Sequence, residues 1–410
     1  MLTTLSYFKK YCPFHPLRKR RRQRIKLIAI FFFFLSLFTL KACADSPVIR
    51  VKISSEKQRC AEISATGPYR IKGERIKNFS SSQELKATFR GIAIREEILG
   101  KEIWIKPEGD GSLIMVNGRR YRGDILIIQQ NEPFLEIINR LPLEEYLYGV
   151  IKAEISPDWP ASAVRAQAIA SRTYALKKLK DSSNHKGNYD LSSTVKHQVY
   201  RGVEAENDKA REAVDATKGE IIAYQGEVAA IFYHDCCGGY TASSESVWGG
   251  AFPYLKAKEE NFCKESPHYF WKFPIKRDNL EKILKNNGFK IGKIYSIVPL
   301  TFDEGGRVQK LRIQYSDSNI KKYLVLKGND FRNLIGTDKL RSTLFKVKRD
   351  GDYFIFTGRG RGHGVGMCQQ GAKVMAEEGF TTEEILKFYY PGTEIKKISD
   401  FTDKNPNYTD

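Results

Sequence analysis

At Leu141 the hydrophobic pattern of the chain changes period, and that change limits the available folds more than any other feature. Before it, from Val48 to about Ile138, short runs alternate apolar and polar residues, as in Val48-Ile49-Arg50-Val51-Lys52-Ile53, and are broken by turns such as Asn117-Gly118. Alternation at two residues per repeat marks strands with one buried face. After it, Leu143, Leu147, Val150 and Glu154 follow at spacings of four, three and four, which places them on one stripe of a helix. Ser156-Pro157-Asp158-Trp159-Pro160 stops that helix, because each proline removes a donor and biases its predecessor away from helical geometry. An alanine-rich helical stretch from Ala161 to Leu179 follows.

Residues 219–260 return to strand and loop character. Residues 275–347 read as an inserted α+β segment, with a helix near Leu280–Lys285 and strands around Leu311–Tyr315 and Tyr323–Leu326. Two helical stretches near Gln369–Glu378 and Thr382–Tyr389 close the chain. The order predicts an α+β fold with a β-rich N-terminal part, a central helical pair and a mixed C-terminal part.

The 410 residues are 41% hydrophobic and 28% charged, which excludes a disordered, collagenous or polytopic membrane chain. The formal charge of +20 resembles that of a nucleic-acid binder, but residues 1–44 contain ten Lys or Arg and no acid, half of the excess. There a basic stretch, Arg18–Arg24, precedes an apolar run, Leu27–Leu40, and Ala42-Cys43-Ala44. This is the layout of a secretory signal cleaved before Asp45, of a retained membrane anchor, or of a segment lipidated at Cys43, where Lys41 two places before is an awkward neighbour. The run of 14 residues is shorter than the roughly 20 a spanning helix needs. The sequence therefore predicts export to the cell envelope, with possible membrane attachment through residues 1–44, and no nucleic-acid partner.

Glu154 is the anomaly of the first helix: a carboxyl on an apolar stripe loses hydration, which raises its pKa and suits it to act as a general acid. Arg172, which shares a helical face with Arg165, could meet an anionic group. His197-Gln198-Val199-Tyr200-Arg201-Gly202 mixes polar and aromatic side chains as carbohydrate sites do. Glycines at 358, 360, 362, 364 and 366 would, in an extended segment, form one bare face with His363 on the other. There is no G-x-S-x-G, H-E-x-x-H or C-x-x-C, so serine hydrolase, zincin and zinc-ribbon chemistry lose their signatures. Beyond residue 44 stand Cys60, Cys236, Cys237, Cys263 and Cys368. In an oxidising compartment some would pair; otherwise all are buried thiols.

The run from Leu141 through Glu154, with Arg165-Ala-Gln-Ala-Ile-Ala-Ser-Arg-Thr-Tyr-Ala175, closely resembles the SpoIID/LytB family of stage II sporulation protein D and amidase-enhancer proteins. The resemblance spans residues 110–395 and continues through Gln198–Gly202, Thr217-Lys218-Gly219, Cys237-Gly238-Gly239-Tyr240-Thr241, Val247-Trp248, Pro253-Tyr254-Leu255, Gly362–Met367 and Tyr390-Pro391-Gly392. On this reading residues 1–44 are the address, 45–109 a β-rich region, 110–395 the family domain with its 275–347 insertion, and 396–410 a tail.

The resemblance implies a peptidoglycan lytic transglycosylase acting on glycan strands already stripped of peptides, with Glu154 catalytic and an amidase as partner. It also implies a groove containing Arg172, Gln198, Tyr200 and His363, and a disulfide between Cys237 and Cys263. The alternative it carries is a non-catalytic protein that binds peptidoglycan and enhances an amidase. Two departures stand out. Some sporulation members hold zinc near the Gln-Val-Tyr motif, where only His185 and His197 match here, so no metal and no cofactor are expected. Gln369-Gln370-Gly371-Ala372 replaces a Gln-Trp-Gly-Ala run and loses its aromatic residue.

Overall fold

The computed structural model describes residues 46–54, 57–131, 133–183, 187–194, 197–318 and 320–402; the expected export signal and His185 lie outside them. None of the described helices is long and apolar enough to cross a membrane. The fold is α+β, as the change of period predicts.

The alternating segments build two sheets, antiparallel but for one edge pair. In the seven-stranded one, Val48–Lys52 lies between Leu135–Pro142, antiparallel, and Leu191–Ser192, parallel. The order continues from Leu135–Pro142 through Asp124–Gln129, Glu102–Pro107 and Tyr69–Lys72 to Ile76–Phe79. Six further strands between Cys60 and Tyr121 form the second sheet. Strands on either side of residue 109 pair with one another, Ile114–Val116 with Cys60–Ala65 and Asp124–Gln129 with Glu102–Pro107. The β region thus runs to Pro142, close to the Ile138 at which the alternating runs end, and it crosses the boundary drawn at 109 because hydrogen bonding joins segments distant along the chain.

Leu135–Pro142 leads directly into the helix Leu143–Glu154. Leu143, Leu147 and Val150 are fully buried in the core shared with the sheets, each burial contributing roughly 1.5–3 kcal/mol. Ile155 is extended and ends the helix, and Pro160 precedes the helix Ala161–Ser183. This long helix serves two cores. Val164, Ala168 and Ala175 face the N-terminal one; Ala166, Ile169 and Ala170 face a second, which includes Cys236, Cys237, Cys263 and Cys368 and the helices Gln369–Glu377 and Thr382–Tyr389. Alanine on both sides is what permits packing against two layers at once.

The insertion has a core of its own, from Trp271 to Phe356. Its base is the pairing of Phe270–Lys276 with Tyr353–Arg359, so it begins and ends a strand outside the 275–347 segment. The helix Arg277–Asn286 and the strands Val308–Asp317 and Ile320–Lys327 match the expected elements. The glycine series does not form the expected extended face. The strand ends at Arg359, and Gly360, Gly362, Gly364 and Gly366 all take positive φ, from 71° to 113°. They fold a loop that carries His363 back towards the strand Tyr233–His234, which pairs with Met367–Cys368.

Candidate active site

Glu154 occupies the last turn of its helix and is half-buried. Its Oε1 accepts the Val199 backbone N–H at 2.9 Å, so the Gln198-Val199-Tyr200 segment fixes the carboxyl's orientation through main chain. Oε2 has no hydrogen-bond partner among the described residues and is the oxygen left to carry a proton. Burial pushes the Glu154 pKa from 4.5 up to about 7, and the Val199 N–H opposes the shift by favouring the carboxylate. Asp158, the next acid along the chain, is exposed and pairs with Lys209 at 2.7 Å.

Three tyrosines, Tyr146, Tyr174 and Tyr233, feel the Glu154 charge, and burial together with that charge raises all three phenols above their ordinary range. Gln198, fully buried, organises two of them: its Oε1 accepts the Tyr146 hydroxyl at 3.0 Å, and its Nε2 donates to the Tyr233 hydroxyl at 2.9 Å and to the Ser171 carbonyl at 3.2 Å. Gln198 is therefore a support beneath the site and not a surface contact for a ligand, which corrects the expected role.

Tyr200 is corrected in the same sense. It is buried, its hydroxyl donates to Asn139 Oδ1 at 2.8 Å, and its ring packs on Tyr146 with centroids 5.0 Å apart. The close approach is possible because the helix carries Gly149, where a Cβ would fall 2.6 Å from the Tyr200 ring.

Arg172 lies furthest from expectation. It is wholly inaccessible, its Nη2 is 2.7 Å from Glu144 Oε2 and its Nε 2.9 Å from Oε1, and the Val214 and Glu220 carbonyls and the Thr217 hydroxyl accept further bonds from it. Glu144, in the first turn of the Glu154 helix, also accepts the Gly219 N–H at 3.0 Å. The pair ties the two central helices to the Thr217-Lys218-Gly219 turn, while Arg165 on the same helical face reaches solvent. Helical spacing put both arginines on one face correctly; only the partner Glu144 decides which of them is buried.

His363 stands at a partly exposed position, with its ring 5.0 Å from Trp248 and 5.6 Å from His234. Its Nδ1 accepts the Val365 N–H at 3.0 Å, and burial holds its pKa well below the usual imidazole range. A neutral ring with a committed Nδ1 offers an aromatic face more than a proton carrier. Phe232 packs 4.5 Å from Trp248 and 6.3 Å from Tyr174, ring centre to ring centre. A row of rings, Tyr174, Phe232, Trp248 and His363, thus extends from the neighbourhood of Glu154, and Trp248, between Phe232 and His363, is 47% exposed. Sequence reasoning singled out neither Tyr174, Tyr233 nor Phe232 as site residues. Their only sequence signal is ordinary: a tyrosine in a helix and two aromatics at the end of an apolar run.

A cavity of about 940 Å³ lies elsewhere, in the insertion, lined by Phe270, Trp271, Phe302, Leu344 and Arg359 among others, with no acid, histidine or cysteine. Its lining offers no general acid, so the Glu154 site remains the candidate for bond cleavage.

The family model described as stage II sporulation protein (SpoIID) matches residues 131–224, the segment that contains Glu154, the long helix and Val199. A second model, described as a domain of unknown function (DUF8618), matches residues 251–366. The stage II sporulation protein D of Bacillus subtilis is 32% identical over 280 residues, covering 65% of this chain and 78% of that protein. The chain belongs to the SpoIID/LytB family. The amidase enhancer of Bacillus subtilis is 30% identical over 343 residues, 72% of this chain and 47% of the enhancer. An uncharacterized protein of Brachyspira hyodysenteriae is 33% identical over 363 residues, 87% of this chain and 95% of its own length. Membership in this family gives the chain a role connected with the cell wall.

Proposed function

We propose that the protein is an exported lytic transglycosylase that cleaves peptide-stripped peptidoglycan glycan strands, with Glu154 as acid and then base. The observation that carries this reading is a single carboxyl, raised to a pKa of about 7 by burial, oriented through one oxygen by the Val199 amide and free at the other. Most glycosidases that hydrolyse use two carboxyl groups, one of them to activate water or to attack carbon. Transglycosylation dispenses with the second. Glu154 Oε2–H protonates the glycosidic oxygen as the bond from the muramic anomeric carbon to that oxygen breaks. The resulting carboxylate then takes the proton of the muramic C6 hydroxyl as that oxygen bonds to the anomeric carbon, giving a 1,6-anhydro end and restoring the acid.

The aromatic row supplies flat faces against which sugar rings can stack, and the buried tyrosines keep the carboxyl's surroundings poor in water and free of cations that would ionise it early. An amidase that removes the peptides is the partner this substrate requires.

The experiment is digestion of amidase-treated glycan strands with analysis of the products by mass spectrometry. Anhydro-muramyl ends that disappear with Glu154→Gln support the proposal, and reducing ends refute transglycosylation in favour of hydrolysis. The similarity to an amidase enhancer favours a second reading, a protein that binds glycan and stimulates an amidase without cutting. Unchanged strands, retained binding and a faster amidase would establish it.

A further inference from the structure

A second group of reactive side chains assembles where three separate stretches of chain meet. Cys237 follows the strand Tyr233–His234, Cys263 lies in the short helical turn Phe262–Glu265, and Cys368 ends the strand Met367–Cys368. The ligand atoms of Cys237, Cys263, Cys368 and Glu260 all fall within 4.8 Å of one another, and all four residues are buried. Cys237 Sγ is 3.3 Å from Cys263 Sγ, and the Cys237 thiol donates to Glu260 Oε2 at 2.7 Å. Glu260 Oε1 accepts the Phe262 N–H at 2.8 Å. The bridge implied by the family resemblance is not formed: Cys237 and Cys263 are adjacent, but both are thiols here.

Two features go beyond proximity. First, backbone N–H groups point at the sulfur atoms: those of Cys237 and Gly371 at Cys368 Sγ, 3.3 and 3.4 Å away, and that of Gly239 at Cys237 Sγ, 3.3 Å away. Cys368 caps the helix Gln369–Glu377 at its N-terminus. A neutral thiol is a weak acceptor, whereas converging N–H donors and a helix N-terminus favour the thiolate. Second, Arg307 of the insertion is buried beside the cluster without an ion-pair partner among the described residues. Its Nη2 donates to the Cys237 and Tyr240 carbonyls at 2.6 and 3.1 Å, while Nε and Nη1 have no partner. Gly364 makes room for it; a Cβ there would lie 2.6 Å from its Cζ. The Asp303 carboxylate favours its charge without pairing with the guanidinium; a buried guanidinium with no paired carboxylate is costly, and a cluster of net negative charge alongside would add a counter-charge.

We propose that Cys237, Cys263, Cys368 and Glu260 form a binding site for one thiolate-seeking divalent ion of the zinc class, with Arg307 as the neighbouring positive charge. Binding releases the three thiol protons to solvent, so three thiolates and a carboxylate around a divalent ion carry a charge of −2, partly offset by Arg307. Three sulfur ligands select zinc over magnesium or calcium. Tetrahedral zinc with its sulfurs at about 2.3 Å would space them by about 3.8 Å, a small expansion for the Cys237–Cys263 pair. Four protein ligands close the coordination sphere, which is the arrangement of a structural site. The ion would fasten the segment after Tyr233 to the turn at Cys263 and to the helix that follows Cys368. The site stands apart from His197 and the Gln198–Tyr200 motif, and it holds whether or not Glu154 cleaves glycan.

The test uses the full chain, purified reduced and without chelator, then stripped and reloaded with zinc or cobalt. Elemental analysis is expected to give one zinc per chain, the cobalt form to show the visible absorption of a tetrahedral thiolate site, and zinc to shield the clustered cysteines, but not exposed Cys60, from thiol reagents. Arg307→Gln should weaken zinc binding about 10- to 100-fold, as loss of an outer partner does, and Cys60→Ser should leave it unchanged. If Cys368→Ser does not fold, the cobalt spectrum and thiol count of the unmodified chain decide. A folded reduced chain that ignores excess zinc overturns the proposal, as does peptide mapping that finds Cys237 joined to Cys263 by a disulfide in the isolated protein, because the disulfide and the metal need the same sulfurs.

Discussion

Glu154→Gln separates the electrostatics of the site from its shape. The amide keeps an oxygen for the Val199 N–H and removes only the ionisation. A carboxyl whose pKa rises from 4.5 unfolded to about 7 folded holds a proton that the unfolded chain has already lost. The native state therefore binds more protons than the unfolded state between those values, and stability falls as pH rises through that window. At about 1.4 kcal/mol per pH unit, the loss is about 3 kcal/mol. It is fully expressed once the pH exceeds the folded value. Glutamine does not titrate, so the stability of the Gln variant relative to the parent should improve by about 3 kcal/mol between about pH 4 and about pH 8. Urea denaturation of both proteins across that range measures the difference. Activity should move the other way: the variant should lose about 10²- to 10⁴-fold, the usual contribution of a general acid, and the parent's kcat/KM should fall as pH rises through about 7. A stability difference that does not vary with pH, or an NMR titration of Glu154 with a midpoint near 4.5, would refute the reasoning, because a carboxylate already ionised at neutral pH has no proton to give.

Three other substitutions probe the surroundings. Tyr233→Phe removes the hydroxyl that accepts from Gln198 and leaves that amide short of a partner, so a stability loss of about 1–3 kcal/mol with reduced turnover is expected; unfolding curves and product release check it. Trp248→Ala should raise KM for glycan strands more than it lowers the melting temperature, since the ring is half exposed although Phe232 and His363 pack against it; equal binding by both proteins would remove it from the groove. Arg172→Met strands Glu144 in the core and should cost about 3–5 kcal/mol at neutral pH, measured by urea denaturation, whereas a ligand-binding arginine would show its loss mainly in KM.

Sequence alone determined where strands give way to helices, where the first helix stops and that Glu154 ends its apolar stripe, because local period and the two prolines dictate those outcomes without reference to the rest of the chain. It also singled out Gln198, Tyr200, Arg172 and His363, but could not say which would face a ligand. That depended on contacts far along the chain: Glu144 claims Arg172, Asn139 claims Tyr200, and Gln198 is enclosed between Tyr146 and Tyr233. The positive-φ glycines that return His363 to Trp248 were legible as glycines but not as a loop, since alternation is equally compatible with an extended strand. The cysteine cluster shows the division most clearly. Cys237, Glu260, Cys263 and Cys368 follow no recognisable spacing, and it takes the pairing of Tyr233–His234 with Met367–Cys368, more than a hundred residues away, and of Tyr240 with Glu259 to bring their ligand atoms within 4.8 Å of one another. Local preference sets the elements; burial and long-range pairing decide which side chains meet.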